Sequence, residues 1–457
     1  MKRKIDTYLD AWVDNTHRKP LVIRGARQIG KTYSVRQLAD RKFKHYIEVN
    51  FERHGDLAGI FDSKNPELIV AELSAYFSRS VVPGETLLFL DEIQMAPAAL
   101  ASLRYFYEEM PDLHLIAAGS LLDHTLNEMK YSMPVGRVEY AYMYPMNFVE
   151  FITALGENGL VDYIEKYRIQ QAFSKLLHKK LLDLLRMYYF IGGMPEAVRV
   201  YLETKDLSQV EKIHENILTS LQYDFAKYAG LKQQQLLRRV FNYVAVNPGK
   251  EIIYSKVAQG ERIEQIKLAL HKLQMSRLVH LVQMTRSAEV PLTALTSKEK
   301  YKPVFIDIGL SNHISGIRLT DIKDLILMNE GAMAEQFTGQ EFIAGLNPPY
   351  MDTRLFYWKR EAKNSNAEVD YLLQIANQIY PVEIKAGKTG TLKSLQIFLE
   401  MYNKKLGIRF NADLPSLGKG LQAHIRIKNE IKILHYDLLS LPLYLSGEIN
   451  RLLDDLK

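Results

Sequence analysis

Apolar positions in the first third of the chain follow two alternating patterns. Leu21–Arg24, Tyr46–Phe51, Thr86–Leu90 and Leu113–Ala118 are short apolar runs of strand length. Between them, Lys31–Asp40, Pro66–Ser80 and Ala98–Met110 read as helices. Strands apolar on both faces and separated by helices predict a parallel sheet covered on both sides, an α/β nucleotide-binding topology. From Phe148 to Val244 the pattern turns helical, with Gln170–Leu185 and Asp206–Leu221 carrying apolar residues three and four apart. A third pattern starts at Asn247-Pro248-Gly249. It holds a short helix at Ser255–Ala258, a turn at Gln259-Gly260-Glu261, a helix at Arg262–Gln274, and strands at Leu278–Met284 and Tyr301–Ile306. Helix, turn, helix and two strands is the order of a winged helix. From about Gly331, a helix at Ala332–Ala344 and strands at Leu355–Trp358, Val369–Gln374 and Ile379–Ile384 predict an α+β or α/β region. The expected divisions are 1–150, 151–244, 245–325 and 326–457.

Composition narrows the classes. Hydrophobic residues at 47% and charged residues at 25% are globular values that exclude wholesale disorder. The chain has no cysteine, which removes disulfides, zinc ribbons, iron–sulfur clusters and thiol nucleophiles. The charge balance, 59 − 53 = +6, permits a polyanionic partner without requiring one. No apolar segment follows the charged start, and no apolar run approaches the roughly 20 residues of a membrane span. The expectation is a soluble, cytoplasmic protein with no membrane partner.

Gly25-Ala26-Arg27-Gln28-Ile29-Gly30-Lys31-Thr32, with Tyr33 behind it, fits G-x4-G-K-[ST] between a predicted strand and a predicted helix. Glycines let the backbone wrap phosphates, and the N–H groups at the helix start supply positive charge. Lys31 then reaches the β- and γ-phosphates of ATP, and the Thr32 hydroxyl binds Mg²⁺. The apolar strand Leu87-Leu88-Phe89-Leu90 ends in Asp91-Glu92. Asp91 can hold Mg²⁺ through water and Glu92 can polarise the attacking water, although two acids after a strand also serve as a plain helix N-cap. Ser120 stands where a polar group can sense the γ-phosphate. Arg137, in Gly136-Arg137-Val138, reads either as an arginine finger acting on a neighbouring subunit, which needs a homo-oligomer, or as a surface salt-bridge partner.

These motifs, with Leu90-Asp91-Glu92-Ile93-Gln94, Ala118-Gly119-Ser120-Leu121-Leu122, the run 144–151, Gly192-Gly193-Met194-Pro195-Glu196-Ala197 and Phe305-Ile306-Asp307-Ile308-Gly309-Leu310, resemble a family. It is the prokaryotic AAA-type ATPases fused to a C-terminal domain of unknown function. Tyr357-Trp358-Lys359-Arg360, Glu368-Val369-Asp370 and Val382-Glu383-Ile384-Lys385 extend the resemblance over nearly the whole chain. It implies an AAA-type P-loop NTPase core, a helical lid, a winged helix and a restriction-endonuclease-like α/β C-terminal domain. It also implies that Gly193 and Pro195 sit near the nucleotide, as the Gly-x-Pro element of related switch ATPases does. Leu121 stands where relatives often show a second serine, which leaves the sensor role to Ser120.

Asp370 lies in one strand-like run and Glu383 ends another, with Lys385 on the same strand face as Glu383. A hairpin could bring Asp370 beside them, and Glu335 on the preceding helix could supply a third acid. Two carboxylates can hold Mg²⁺ while a lysine steadies phosphorane charge, the arrangement of a PD-(D/E)xK nuclease. A solvated strand face with salt bridges, or a nuclease fold without catalysis, reads equally from these residues. Pro381 suggests an edge or strand-start position. Residues 250–286 hold seven basic and three acidic residues, but the expected outer face of the second helix, Glu264, Gln265, Leu268 and Lys272, argues against tight major-groove readout. Two functions follow. One is an ATP-hydrolysing motor or switch that controls an attached Mg²⁺-dependent nuclease on DNA. The other is a nucleotide switch whose C-terminal domains bind DNA or a protein partner and cut nothing.

Overall fold

The computed structural model describes residues 1–124, 136–317, 330–360, 367–385, 391–427 and 430–456. They form two compact units. The first comprises Met1–Tyr144 and two short returns of the chain, Met275–Leu278 and Asn347–Asp352. Its strands are β1 (Leu21–Arg24), β2 (His45–Asn50), β3 (Thr86–Asp91), β4 (His114–Gly119) and β5 (Glu139–Tyr142). All pair in parallel, in the order β2-β3-β4-β1-β5. β3 and β4 are buried along their whole length, as strands with both faces covered must be. One face packs Val22, Val49, Leu88, Leu90 and Leu115 against Ile69, Leu73, Leu103 and Phe106 of the helices Pro66–Phe77 and Pro97–Glu109. Because β3, β4 and β1 are neighbours, the loops at their carboxyl ends converge.

The two returns are fastened by a buried arginine that sequence reading missed. Arg277 places its guanidinium nitrogens 2.9 and 3.1 Å from the two oxygens of Asp352 and 3.4 Å from Asp123. Tyr142 donates its N–H to the Pro349 carbonyl at 2.7 Å.

The second unit comprises Pro145–Gln274, Val279–Leu346 and Thr353–Lys457. It opens with helices, among them Lys175–Ile191, Pro195–Thr204, Leu207–Tyr223 and Leu231–Val246. Its strands are β6 (Val279–Thr285), β7 (Thr296–Phe305), β8 (Phe356–Lys359), β9 (Glu368–Ile375), β10 (Gln378–Ile384), β11 (Leu406–Asn411), β12 (Ser416–Ile427) and β13 (Glu430–Pro442). They make one sheet, β12-β13-β11-β10-β9-β8-β6-β7. β6 and β7 are the two strands expected to form a separate wing. They are not separate: β6 pairs with β7 on one side and, in parallel, with β8 on the other. A two-stranded ribbon is marginal alone, and joining a larger sheet satisfies one of its edges. The expected boundary at 325–326 lies outside the described residues, and the sheet is continuous from one side of it to the other. Of the expected outer helix face, Glu264, Gln265 and Leu268 are exposed. Ile263, beside them, is exposed as well. Lys272 is bound by the Tyr228 carbonyl and Gln233, and Lys267 by Glu299. β10 lies between β9 and β11, so Pro381 marks no edge. Its parallel pairing with β11 begins only at Val382, which makes the missing N–H harmless there.

The helix Glu330–Gly345 carries buried polar side chains that bind one backbone segment. Gln336 accepts from Phe305 N (2.9 Å) and donates to Phe305 O (2.8 Å), and Gln340 accepts from Ile308 N at 2.9 Å. Between them stands Asp307, fully buried. It caps the helix Ile308–Ile314 through Leu310 N and takes the Gly193 N–H at 2.6 Å. Gly193 is required there by close approach, since a Cβ would lie 2.0 Å from the Met146 carbonyl oxygen.

Burial pushes the Asp307 carboxyl up to about 6, against the pull of its N–H donors. The folded state therefore holds the Asp307 proton more tightly than the unfolded chain does. The contribution of this group is favourable below about pH 4 and declines as pH rises through about 6. Over that window the stability of wild type relative to Asp307→Asn is expected to fall by about 3 kcal/mol, at about 1.4 kcal/mol per pK unit, in urea unfolding measured from pH 4 to 7.

Candidate functional site

The loop after β1 has the backbone the motif requires. Gln28 and Gly30 are left-handed, with φ of 66° and 94°. Gly25 packs so closely that a Cβ would lie 2.5 Å from the Met143 carbonyl oxygen. Ala26 and Ile29 are buried, Arg27 pairs with Glu52 at 3.3 Å, and Tyr33 is exposed at the rim. Arg3 holds the loop from behind, donating to the carbonyls of Ile29 (3.0 Å) and Tyr144 (2.7 Å). Lys31 is buried with its Nζ on the carbonyls of Gly25 (2.9 Å) and Ala26 (2.7 Å). Burial lowers its pKa to about 8, although Glu92 and Asp91 pull the other way.

The two acids meet this loop at the end of β3. The Thr32 hydroxyl donates to Asp91 Oδ2 at 3.0 Å, and Asn50, at the end of β2, donates to the same oxygen at 3.3 Å. Burial raises the Asp91 carboxyl and the neighbouring Glu92 charge raises it further. Glu92 itself is left-handed, with φ of 53°. Its Oε2 accepts from Gln94 Nε2 at 2.5 Å and from Ser120 Oγ at 3.4 Å. The structure therefore brings Lys31, Thr32, Asp91, Glu92 and Ser120 to one place. Asn50 and Gln94 join them and were not read as site residues. Asn50 lies in the predicted strand Tyr46–Phe51 and stands directly opposite Asp91 across β2 and β3; Gln94 belongs to the motif Leu90–Gln94, but its contact with Glu92 shows only in the fold. Arg137 pairs with Glu108 of its own chain at 2.7 Å. Gly193 and Pro195 lie in the second unit, at the Met146–Asp307 contact and the start of a helix.

In the second unit, β9 and β10 form the expected antiparallel hairpin, and the Asp370 carboxylate accepts the Ile384 N–H at 2.8 Å. Lys385 Nζ lies 2.6 Å from Glu383. Glu335 joins from its helix. Burial raises both Glu335 and Glu383, and the charge of Asp370 adds to the rise in each. The residue missed is Lys302 on β7. It is 3% exposed, and its Nζ lies 2.5 Å from Glu368, 3.3 Å from Glu335 and 3.6 Å from Asp370. Among the described residues, no three His, Asp or Glu side chains converge as a metal-binding set. Asp370 and Glu383, the acids expected to share Mg²⁺, each face a lysine: Lys302 lies 3.6 Å from Asp370 and Lys385 2.6 Å from Glu383.

Residues 17–152 match the family model of an AAA domain. Residues 182–321 and 330–426 match two domains of unknown function, DUF8612 and DUF4143. The first unit thus carries an AAA-type P-loop domain, and the regions after it match families without an assigned function. No curated protein matches the chain. Among solved structures, the Aeropyrum pernix ORC2 protein in its ADPNP–ADP complexes is similar at 12% identity and a TM-score of 0.34, over 71% of this chain and 94% of that one. The Thermotoga maritima RuvB Holliday junction branch migration motor is similar at 13% identity and a TM-score of 0.27, over 64% and 91%. Among the described residues, no helix is long and apolar enough to cross a membrane.

Gly119 makes room for Gln94, since a Cβ there would lie 2.3 Å from Gln94 Oε1. Gly119→Ala is expected to cost about 1–2 kcal/mol in denaturant unfolding. In a Gln94→Ala background most of that cost should vanish, giving a coupling of about 1 kcal/mol in the double-mutant cycle.

Proposed function

We propose that the chain is a Mg²⁺-dependent ATPase whose nucleotide cycle controls its C-terminal, nuclease-like region in work on DNA. The observation that carries the ATPase reading is the convergence of Lys31, Thr32, Asp91 and Glu92 at the carboxyl end of a parallel sheet. A partly buried carboxylate in contact with a hydroxyl suits a hard cation, so Thr32 and Asp91 would hold Mg²⁺. When bound, Mg²⁺ supplies charge neutralisation at the phosphates. The loop N–H groups and the Lys31 ammonium bind the phosphates. Glu92 orients the attacking water and receives its proton, and Ser120 reports on the γ-phosphate.

The nuclease-like reading is supported by the order of elements. The order is a helix (Glu330–Gly345), three antiparallel strands (β8, β9, β10), a helix (Lys393–Met401) and a parallel strand (β11), with Asp370 and Glu383 on adjacent strands and Lys385 just past the end of β10. As arranged, however, the acids are turned onto Lys302 and Lys385 and do not fit a divalent cation, so no cleavage step is derived. That observation favours the second reading, a switch that binds DNA or a protein partner and cuts nothing.

ATP turnover is measured for wild type, Lys31→Ala and Glu92→Gln, with duplex or single-stranded DNA added. Glu92→Gln is expected to lose at least about 100-fold in turnover while still binding ATP, and Lys31→Ala to lose binding. Strong stimulation by DNA supports nucleic acid as the partner, and indifference to DNA points to a protein. Nicking of supercoiled DNA with Mg²⁺ and ATP separates the two readings. Activity lost in Asp370→Ala and Lys385→Ala, with ATP turnover intact, supports the nuclease; no cleavage under any nucleotide state supports the non-cutting switch.

A further inference from the structure

Lys302 stands out in the second unit because it is surrounded by more negative charge than one ammonium balances. Three carboxylates lie within 3.6 Å of its Nζ: Glu335 from a helix, and Glu368 and Asp370 from β9. Glu368 has a second cation at 3.8 Å, Lys359, which is shared with Glu251. Glu383 meets Lys385 through one oxygen, while its other oxygen, Oε2, is buried with no hydrogen-bond partner among the described residues. The turn at Gly249 closes on Glu335, where a Cβ would lie 2.7 Å from Oε2. The cluster is thus acid-rich, with Lys302, Asp370 and Glu383 buried, Glu368 on its exposed side, and one carboxylate oxygen left unsatisfied.

Its lysine comes from a different region than its acids. Lys302 lies in the stretch matching one domain of unknown function, and Glu335, Glu368, Asp370 and Glu383 in the stretch matching the other. A divalent ion held by carboxylate oxygens at about 2.1 Å needs the space those oxygens enclose, and a second cation within 4 Å of it would be strongly repelled. We propose that Lys302 is an internal counter-cation occupying the cation position of the C-terminal site, so that its ammonium, and no divalent metal, balances the acids around it. This rests on the nuclease-like reading of the site and assigns the residue that keeps metal out of it.

The test is Mn²⁺ binding to the full-length, nucleotide-free protein by isothermal titration calorimetry. Thermal unfolding is followed in EDTA and in Mn²⁺. Wild type, Lys302→Met, Lys302→Gln, Asp370→Asn and Lys302→Met/Asp370→Asn are compared. Wild type is expected to show no Mn²⁺ binding that depends on Asp370. Both single variants should gain one Mn²⁺ at least about 10-fold more tightly than wild type, with melting raised by at least about 3 °C in Mn²⁺. The added Asp370→Asn should abolish both effects. If wild type binds Mn²⁺ as tightly as the variants, and Asp370→Asn alone removes it, the metal centre stands and the role of Lys302 is overturned. If no variant binds Mn²⁺, or if neither Lys302 variant folds even in saturating Mn²⁺, the metal-centre reading and the proposal fall together.

Discussion

A buried ammonium must find its full complement of partners inside the protein, and this chain meets that requirement twice in opposite ways. Lys31 is held by two backbone carbonyls, dipoles that orient it without cancelling its charge. Burial therefore wins, and its pKa drops to about 8 despite two nearby carboxylates. Lys302 suffers the same desolvation, but Glu335, Asp370 and Glu368 outweigh it and push the ammonium well above its usual range. One lysine is left short of negative charge and is complementary to an anion. The other is oversupplied, and the deficit has moved to its acids. The chemistry open to each site follows from that difference in electrostatic saturation.

The carboxylates show the same rule from the other side. Asp307 survives burial by accepting backbone N–H groups from Gly193 and Leu310, and it lies against Gly192, where a Cβ would collide with its carboxylate. Glu92 is held on one oxygen by Gln94, in a notch opened by the absence of a side chain at Gly119. Its left-handed backbone costs energy for a residue other than glycine, and the Gln94 and Ser120 contacts fix its side chain against that cost. In both places a glycine defines where a carboxylate can go.

The phosphate loop was legible because every residue it needs lies within eight positions, and the sheet because its strands are apolar on both faces. Asp91 and Glu92 followed from strand context. The C-terminal hairpin was legible in outline, since the partners Asp370 and Glu383 are 13 residues apart. Lys302 was not, because its acids lie 33 to 68 residues further on and its strand reads locally as a wing. The helix Glu330–Gly345 was found as a helix, but its function was hidden. Buried Gln336 and Gln340 look like surface residues in sequence, and only the fold shows that they bind the backbone of residues 305–308. Arg277 was invisible for the same reason, with Asp352 75 residues away. Long-range pairing of polar groups leaves no periodic trace.

Those amide contacts bear on how the C-terminal site could change state. Lys302, Phe305, Asp307 and Ile308 are tied in succession to Glu335, Gln336 and Gln340, while Asp307 also grips Gly193. Sliding this segment along its helix would break several buried hydrogen bonds at once, each costly to leave unmade. The segment therefore behaves as a rigid strut. Withdrawing the Lys302 ammonium as a unit requires Asp307 to move with it, and the Gly192–Pro195 loop to move or to lose its clamp. The family resemblance puts Gly193 near the nucleotide. Lys302 is thus held against its acids by the same run of backbone contacts that seats Asp307 on Gly193.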